Sequence, residues 1–190
     1  MNSKEEFLEI YKGISRKGAG KMLGWLEGKD FFTAPASTRF HECCEGGLCE
    51  HSVRVYHQLK TLLLSYPSLS LPCADTAPVV ALLHDVCKVG CYKTEMRNRK
   101  NEQGKWESVP FYTFQEDACF GGHGSKSVYL VRAFMPLTFG EAAAINCHMG
   151  VENGNFAVND AFRQYPLAFL LHTADMASTI PGLCEEEKAT

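Results

Sequence analysis

No stretch of this sequence is apolar enough to cross a membrane: none approaches the ~20 consecutive apolar residues that a spanning helix needs. The opening Met1-Asn2-Ser3-Lys4-Glu5-Glu6 lacks the long apolar segment of a secretory signal. Positive charge is not in excess either. A net charge of −3 removes the electrostatic footprint expected of a binder of long nucleic acids, although a local patch can serve a short strand. The nine cysteines include no CxxC pair, and their odd number fits reduced thiols better than a disulfide framework. Cys43-Cys44-Cys49 and Cys87-Cys91 find no second CxxC or histidine pair to complete a structural zinc site. Internal repeats and linker-like segments are absent. With 45% hydrophobic and 22% charged residues, the chain reads as one ordinary globular domain over 1–190, expected in the cytoplasm.

What is present centres on Ala81-Leu82-Leu83-His84-Asp85-Val86-Cys87-Lys88-Val89-Gly90, where an apolar run delivers an imidazole beside a carboxylate. Burying such a pair is costly unless hydrogen bonds, ion pairing or a metal compensate. If the segment is helical, Lys88 follows His84 by four residues and Asp85 by three, so it shares their face. Ser3-Lys4-Glu5-Glu6 reads as a capping box for a first helix, and a second short helix ends near Gly28. Residues 30–47 are irregular, and a strong helix follows from Leu48 to Leu64. Asp75 or Thr76 can cap the His84-Asp85 helix. Tyr92–Arg97 and Trp106–Phe114 flank the polar turn Asn101-Glu102-Gln103-Gly104, which predicts an inserted β-hairpin over about 92–115. Its basic residues Lys93, Arg97, Arg99, Lys100 and Lys105 read first as solvated surface, second as an arm for substrate phosphates. Helices are expected from His123 to Phe134, from Thr138 to His148 and from Pro166 to Ile180, with a loop from Gly150 to Asn159. The architecture is therefore all-α, a single helical domain with one hairpin.

His51, the His84-Asp85 pair, His123, His148 and Asp175 fall on successive predicted helices. Facing helices that project imidazoles and carboxylates inward are a way of building metal centres in bundles. Six such ligands with one bridging carboxylate suit two ions about 3.5–4 Å apart.

Gly47-Leu48-Cys49-Glu50-His51-Ser52, Leu83-His84-Asp85-Val86-Cys87-Lys88 and Leu171-His172-Thr173-Ala174-Asp175 resemble the H…HD…D signature of the HD-domain superfamily of metal-dependent phosphohydrolases. Gly122-His123-Gly124 and Cys147-His148-Met149-Gly150 resemble the additional histidines of its two-metal members. The resemblance spans a motif core of about 40–178. It implies that His51, His84, Asp85 and Asp175 hold a first ion and that Asp85 bridges to a second, held also by His123 and His148. It implies one or two divalent transition metal ions (Mn, Fe, Co or Zn), a bridging water that attacks phosphorus, and Lys88 on the substrate phosphate. Arg54 and Arg132 are candidate charge stabilisers, with the ordinary role of helix-surface arginines as the alternative. Arg39 to Gly47 is similar to the HD domain of bacterial 3′–5′ exoribonucleases that pair it with an OB-fold, which brings His41 near the substrate or leaves it with a loop hydrogen bond.

The expected function is hydrolysis of a phosphate ester, phosphodiester or phosphomonoester, in a nucleotide or nucleotide-like small molecule. HD-type hydrolases of diadenosine tetraphosphate share the general ligand order. Two other classes stay open: a di-iron oxygenase built on the same ligands, and a non-catalytic nucleotide sensor. His57 and His172 read as packing or hydrogen-bonding residues. Trp106, Phe111 and Phe114 could form a partner surface or a lid, which leaves the oligomeric state open.

Overall fold

The computed structural model describes residues 2–38, 42–115, 121–151, 157–180 and 182–183. They form eight α-helices and one two-stranded antiparallel sheet. The helices are α1 (Ser3–Tyr11), α2 (Ala19–Glu27), α3 (Gly47–Leu64), α4 (Thr76–Leu83), α5 (His123–Phe134), α6 (Phe139–Cys147), α7 (Ala157–Gln164) and α8 (Pro166–Ser178). A 3₁₀ turn, Val86–Lys88, follows α4, and the strands are β1 (Tyr92–Lys100) and β2 (Trp106–Phe114). A mostly helical chain with one inserted hairpin is thus present as expected.

Three local expectations change. Asn2, not Ser3, caps α1: its side chain accepts from the Glu5 amide while Glu5 reaches back to the Asn2 amide. Asp75 occupies the N-cap position of α4 but does not cap it, because its carboxylate is taken by Arg16. Within the expected loop from Gly150 to Asn159, residues 157–159 already belong to α7. That helix is short and amphipathic, with Val158, Ala161 and Phe162 at helical spacing, and its stability comes from packing on α8.

Helix α4 explains the layout. All eight of its residues are buried. Val79, Leu82 and Leu83 face one apolar cluster with Phe7, Met22, Leu26, Phe31 and Val131. Ala77, Val80 and Ala81 face a second with Val55, Leu59, Ile145, Leu167 and Leu171. A helix that is apolar all round has no solvent face to offer and must become a partition. The long α3 runs along both clusters and packs against α1, α4 and α8. The ribbon β1–β2 stands outside this core: its register runs from Tyr92 opposite Phe114 to Lys100 opposite Trp106, and eight of the nine β1 residues are exposed.

One polar cluster locks the partition in place. Arg16 donates to both Asp75 (2.6 Å) and Glu141 (2.9 and 3.0 Å), and Thr76 donates to Glu141 as well (2.8 Å). Glu141 is fully buried and also closes the capping box of α6 with Thr138. The loop after α1 and the starts of α4 and α6 are thereby joined. The Arg16 guanidinium holds Asp75 below the ordinary carboxylate range. For Glu141 burial pushes upward, but Arg16 and the capping amide and hydroxyl outweigh it.

Removing one partner of a buried ion pair typically costs about 3–5 kcal/mol. Arg16→Ala is expected to destabilise the domain on that scale in urea unfolding at pH 7. Both carboxylates have folded pKa values below their unfolded ones, near 4. Their contribution is therefore complete above that range and is lost as pH falls through the lowered folded values. In Arg16→Ala the guanidinium that lowers both is gone and only the weaker hydrogen bonds from Thr138, Thr76 and the Ser15 and residue-16 amides oppose burial, so the loss of stability on acidification should shrink; an unchanged acid limb would count against the pairing.

Candidate metal centre

Two histidines stand at helix ends. His84 is the C-cap residue of α4 and His148 that of α6. The last carbonyls of a helix have no partner within it. The Nδ1 of His84 lies 2.7 Å from the Ala81 carbonyl and that of His148 lies 2.7 Å from the Ile145 carbonyl. A carbonyl can only accept, so each Nδ1 carries the proton and, in the neutral ring, each Nε2 presents a lone pair. His51, one turn into α3, reaches the same state by another route. Its Nδ1 lies 3.3 Å from Ser178 Oγ, whose own hydrogen goes to the Asp175 carbonyl (2.7 Å). Ser178 therefore accepts from His51.

These Nε2 atoms converge with two carboxylates. His51 Nε2 is 3.2 Å from His84 Nε2 and 3.1 Å from Asp175 Oδ1. Asp85 turns Oδ2 toward His84 (3.5 Å) and His51 (3.7 Å), and Oδ1 toward His148 Nε2 (3.4 Å). All three histidines and Asp85 are buried. His148 Nε2 makes no hydrogen bond among the described residues. Buried acceptors at such distances repel unless a proton or a cation lies between them, and fixing Nδ1 by a backbone carbonyl is how metal-binding histidines are commonly oriented. The residues fit a metal: His51, His84 and Asp85, and likewise His84, His148 and Asp175, place donor atoms close enough to hold an ion. The C-terminal ends of α4 and α6 point their negative dipole ends at the cluster, which also favours a cation there.

The electrostatics agree. Burial pushes Asp85 upward, but the Lys88 ammonium, then His84 and His148, hold it well below the ordinary carboxylate range. Asp175 is likewise pushed upward by burial, yet its closeness to His51 Nε2 and to the His84 and His148 rings brings it down to about 2. Burial lowers Lys88, yet Asp85 overrides this and keeps the ammonium protonated. Lys88 Nζ sits 2.6 Å from Asp85 Oδ2 and 2.9 Å from the Ala36 carbonyl.

Continuity of the α4 helix through Lys88 is corrected. Helix geometry stops at Leu83; Asp85 has φ −107° and ψ 16°, and Lys88 reaches Asp85 across the 3₁₀ turn instead of along a helix face. His123 begins α5, half-buried. Its Nδ1 meets Cys87 Sγ at 3.5 Å, and its ring packs beside Phe114 of β2. It adjoins the cluster through Cys87 and is outside the two close donor groups. Arg54 is engaged by Glu42 (2.7 Å) and Glu50 (2.5 Å). Arg132 is exposed in the last turn of α5, nine residues from His123, about 13 Å along the axis and on the opposite face. His41 lies outside the described residues.

His172 packs and hydrogen bonds as expected, while the roles of Ser178 and Cys87 escape a sequence reading. Ser178 and His172 are each three residues from Asp175, the spacing of one helix face, which was the available signal. His172 Nδ1 lies 2.6 Å from the His148 carbonyl and its ring stacks on Phe162 of α7. Gly150, at φ 76°, makes room for that ring: a Cβ there would come within 2.6 Å of it. Cys87 reads in the sequence only as part of an incomplete zinc pair with Cys91, since its partners Ser127 and His123 come from α5.

Comparison with family models, with curated proteins and with solved structures returns no match. The cluster is compatible with an HD-like site, and its chemistry has to be argued from its own geometry.

Helices α5 and α6 touch where they carry His123 and His148. A Cβ on Gly124 would lie 2.1 Å from the Asn146 carbonyl oxygen, a backbone atom that cannot move aside. Overpacking of this kind costs about 1–3 kcal/mol. Gly124→Ala should lower stability by that amount in urea unfolding, whereas Gly20→Ala, with open space around it, should be neutral or stabilising.

Proposed function

We propose that the chain is a metal-dependent phosphohydrolase, a phosphodiesterase or phosphomonoesterase, acting on a small phosphorylated substrate of nucleotide type. The observation that carries this reading is the convergence of three histidine Nε2 atoms and two carboxylates in a buried space, beside a lysine that is held protonated. His51, His84, Asp85 and Asp175 would hold a first ion, with Asp85 reaching through Oδ1 toward a second shared with His148 and His123. Divalent ions bound there would supply Lewis acidity toward a water and toward phosphoryl oxygens.

The chain's own residues have distinct tasks in this reading. Asp85 presents its two oxygens to opposite sides of the cluster, so it can link two positions. Ala81, Ile145 and Ser178 fix the rings of His84, His148 and His51, so the lone pairs need no reorganisation. Lys88 commits two of its three N–H groups, to Asp85 and Ala36, and offers the third to a phosphate oxygen. A positioned, partly buried ammonium suits an anionic substrate better than the neutral organic substrate of an oxygenase. Arg54 serves substrate only if it leaves Glu42 and Glu50, so its first task in this reading is to brace the start of α3.

Metal content of the freshly purified protein, with a phosphate-release screen of nucleotides under air and under nitrogen, tests the proposal. About two metals per chain and release independent of oxygen are expected. Two irons with oxygen consumption and no phosphate release would replace it with the oxygenase reading. Ligand binding without metal or turnover would replace it with a sensor. Asp85→Ala should lose metal and activity together while keeping its helical circular dichroism. Lys88→Ala should retain metal and lose about 10²–10³-fold in kcat, the scale of one transition-state donor; equal loss of metal and activity would make Lys88 structural.

A further inference from the structure

The side of the cluster facing α5 contains one donor that the ligand set above leaves out. Starting from His123 Nδ1, Cys87 Sγ is 3.5 Å away. Cys87 Sγ is 4.0 Å from Asp85 Oδ1, and Asp85 Oδ1 is 3.4 Å from His148 Nε2. Without Cys87 there is a break between His123 and the rest; with it the donors run continuously. His148 Nε2, fully buried, ends the series without a hydrogen bond among the described residues.

Those separations have a chemical meaning. A tetrahedral ion with N and O bonds of about 2.0–2.2 Å and an S bond of about 2.3 Å sets its donors about 3.4 Å apart for N and O, and about 3.6 Å apart for S and either. Of the six edges of such a set, the observed 3.4 Å (Asp85 to His148) and 3.5 Å (Cys87 to His123) match the ideal, and the 4.0 Å from Cys87 to Asp85 is longer than it. Cys87 is also held for this purpose. Its amide donates to Ser127 Oγ of α5 (3.2 Å), which pins the 3₁₀ turn against the helix that begins with His123. Its exposure of 1% removes it as a nucleophile toward an external substrate. The neighbouring Cys91 is differently employed: its thiol donates to the Cys87 carbonyl (3.2 Å) and accepts from Lys126 (3.4 Å).

We propose that Cys87 is a metal ligand, completing with His123, His148 and Asp85 the donor set of the second ion position. Coordination releases the thiol proton to solvent and leaves a thiolate on the metal. A thiolate in the set selects a thiophilic ion, zinc or cobalt, over manganese or magnesium. The inference rests on the two-ion reading of the preceding section and adds a ligand and a metal preference to it.

Cobalt(II) titration of the metal-free full chain tests both separately, with binding counted by dialysis and metal analysis and the ligand type read from the absorption spectrum. Two ions per chain are expected, one of them bringing a thiolate-to-cobalt charge-transfer band in the near ultraviolet. The band should persist in Cys91→Ser and in the Cys43→Ser/Cys44→Ser double variant. It should vanish in Cys87→Ser, with zinc affinity at that position falling about tenfold or more. Two bound ions with only ligand-field bands would overturn the role of Cys87 and leave the two-ion centre standing. A single bound ion, or none, would overturn the inference together with the two-ion reading. Should Cys87→Ser not fold, His123→Ala decides. A displaced or lost band is expected because both residues hold the same ion, and an unaltered band would place the thiolate elsewhere and overturn the proposal.

Discussion

Repulsion between buried acceptors is the constraint around which this domain is arranged. Three imidazole nitrogens and two carboxylates cannot be enclosed with neighbours at 3.1–3.8 Å without a positive partner. The fold provides part of that partner itself. Lys88 neutralises Asp85 from one side, and its anchoring at the Ala36 carbonyl, shared with the Tyr92 hydroxyl (2.8 Å), fixes the 3₁₀ turn to the loop before α3. The remaining demand is directional: the Nε2 atoms of His51, His84 and His148 all face the two carboxylates, where a cation or a proton would satisfy them.

Helix termination solves two problems at once in this setting. Ending α4 at Leu83 and α6 at Cys147 frees carbonyls that need donors, and His84 and His148 supply them through Nδ1. The same bonds fix the direction of Nε2. A histidine in mid-helix would have no free carbonyl to set its ring. His51, which is in mid-helix, depends on Ser178 from α8 instead. Long-range packing of α3 on α8 is thus a condition for the site and not only for the core.

Much of this could be read from the residues themselves. The apolar run ending in His84-Asp85 announced a buried helix delivering polar groups, and Thr138 announced the start of α6. The convergence of His51, His84, Asp85, His148 and Asp175 followed from placing each on an inward face. What stayed hidden depended on partners distant in sequence. Asp75 looks like a helix cap until Arg16, 59 residues away, claims it. Around α7 the run rich in Gly and Asn before it obscures the helical spacing of Val158, Ala161, Phe162 and Tyr165, and Phe162 is stabilised by Phe169 and His172 of α8. The 3₁₀ turn that replaces helix at Val86–Lys88 likewise depends on Ser127 of α5.

The β1–β2 ribbon introduces unequal stability across the site. An isolated two-stranded hairpin is at best marginally stable, and this one is mostly exposed and anchored chiefly at its base, by Tyr92, Phe114 and the Gln115 to Cys91 backbone bond. Local opening of such a unit requires far less free energy than unfolding the helical core. Phe114 packs beside His123, while His51, His84 and His148 are seated between buried helices. Fraying of the ribbon would therefore release one wall of the cluster and leave the other rigid. Exchange of whatever occupies the His123 side can then proceed on the timescale of local unfolding, while an occupant on the His51 side is retained until the domain itself opens.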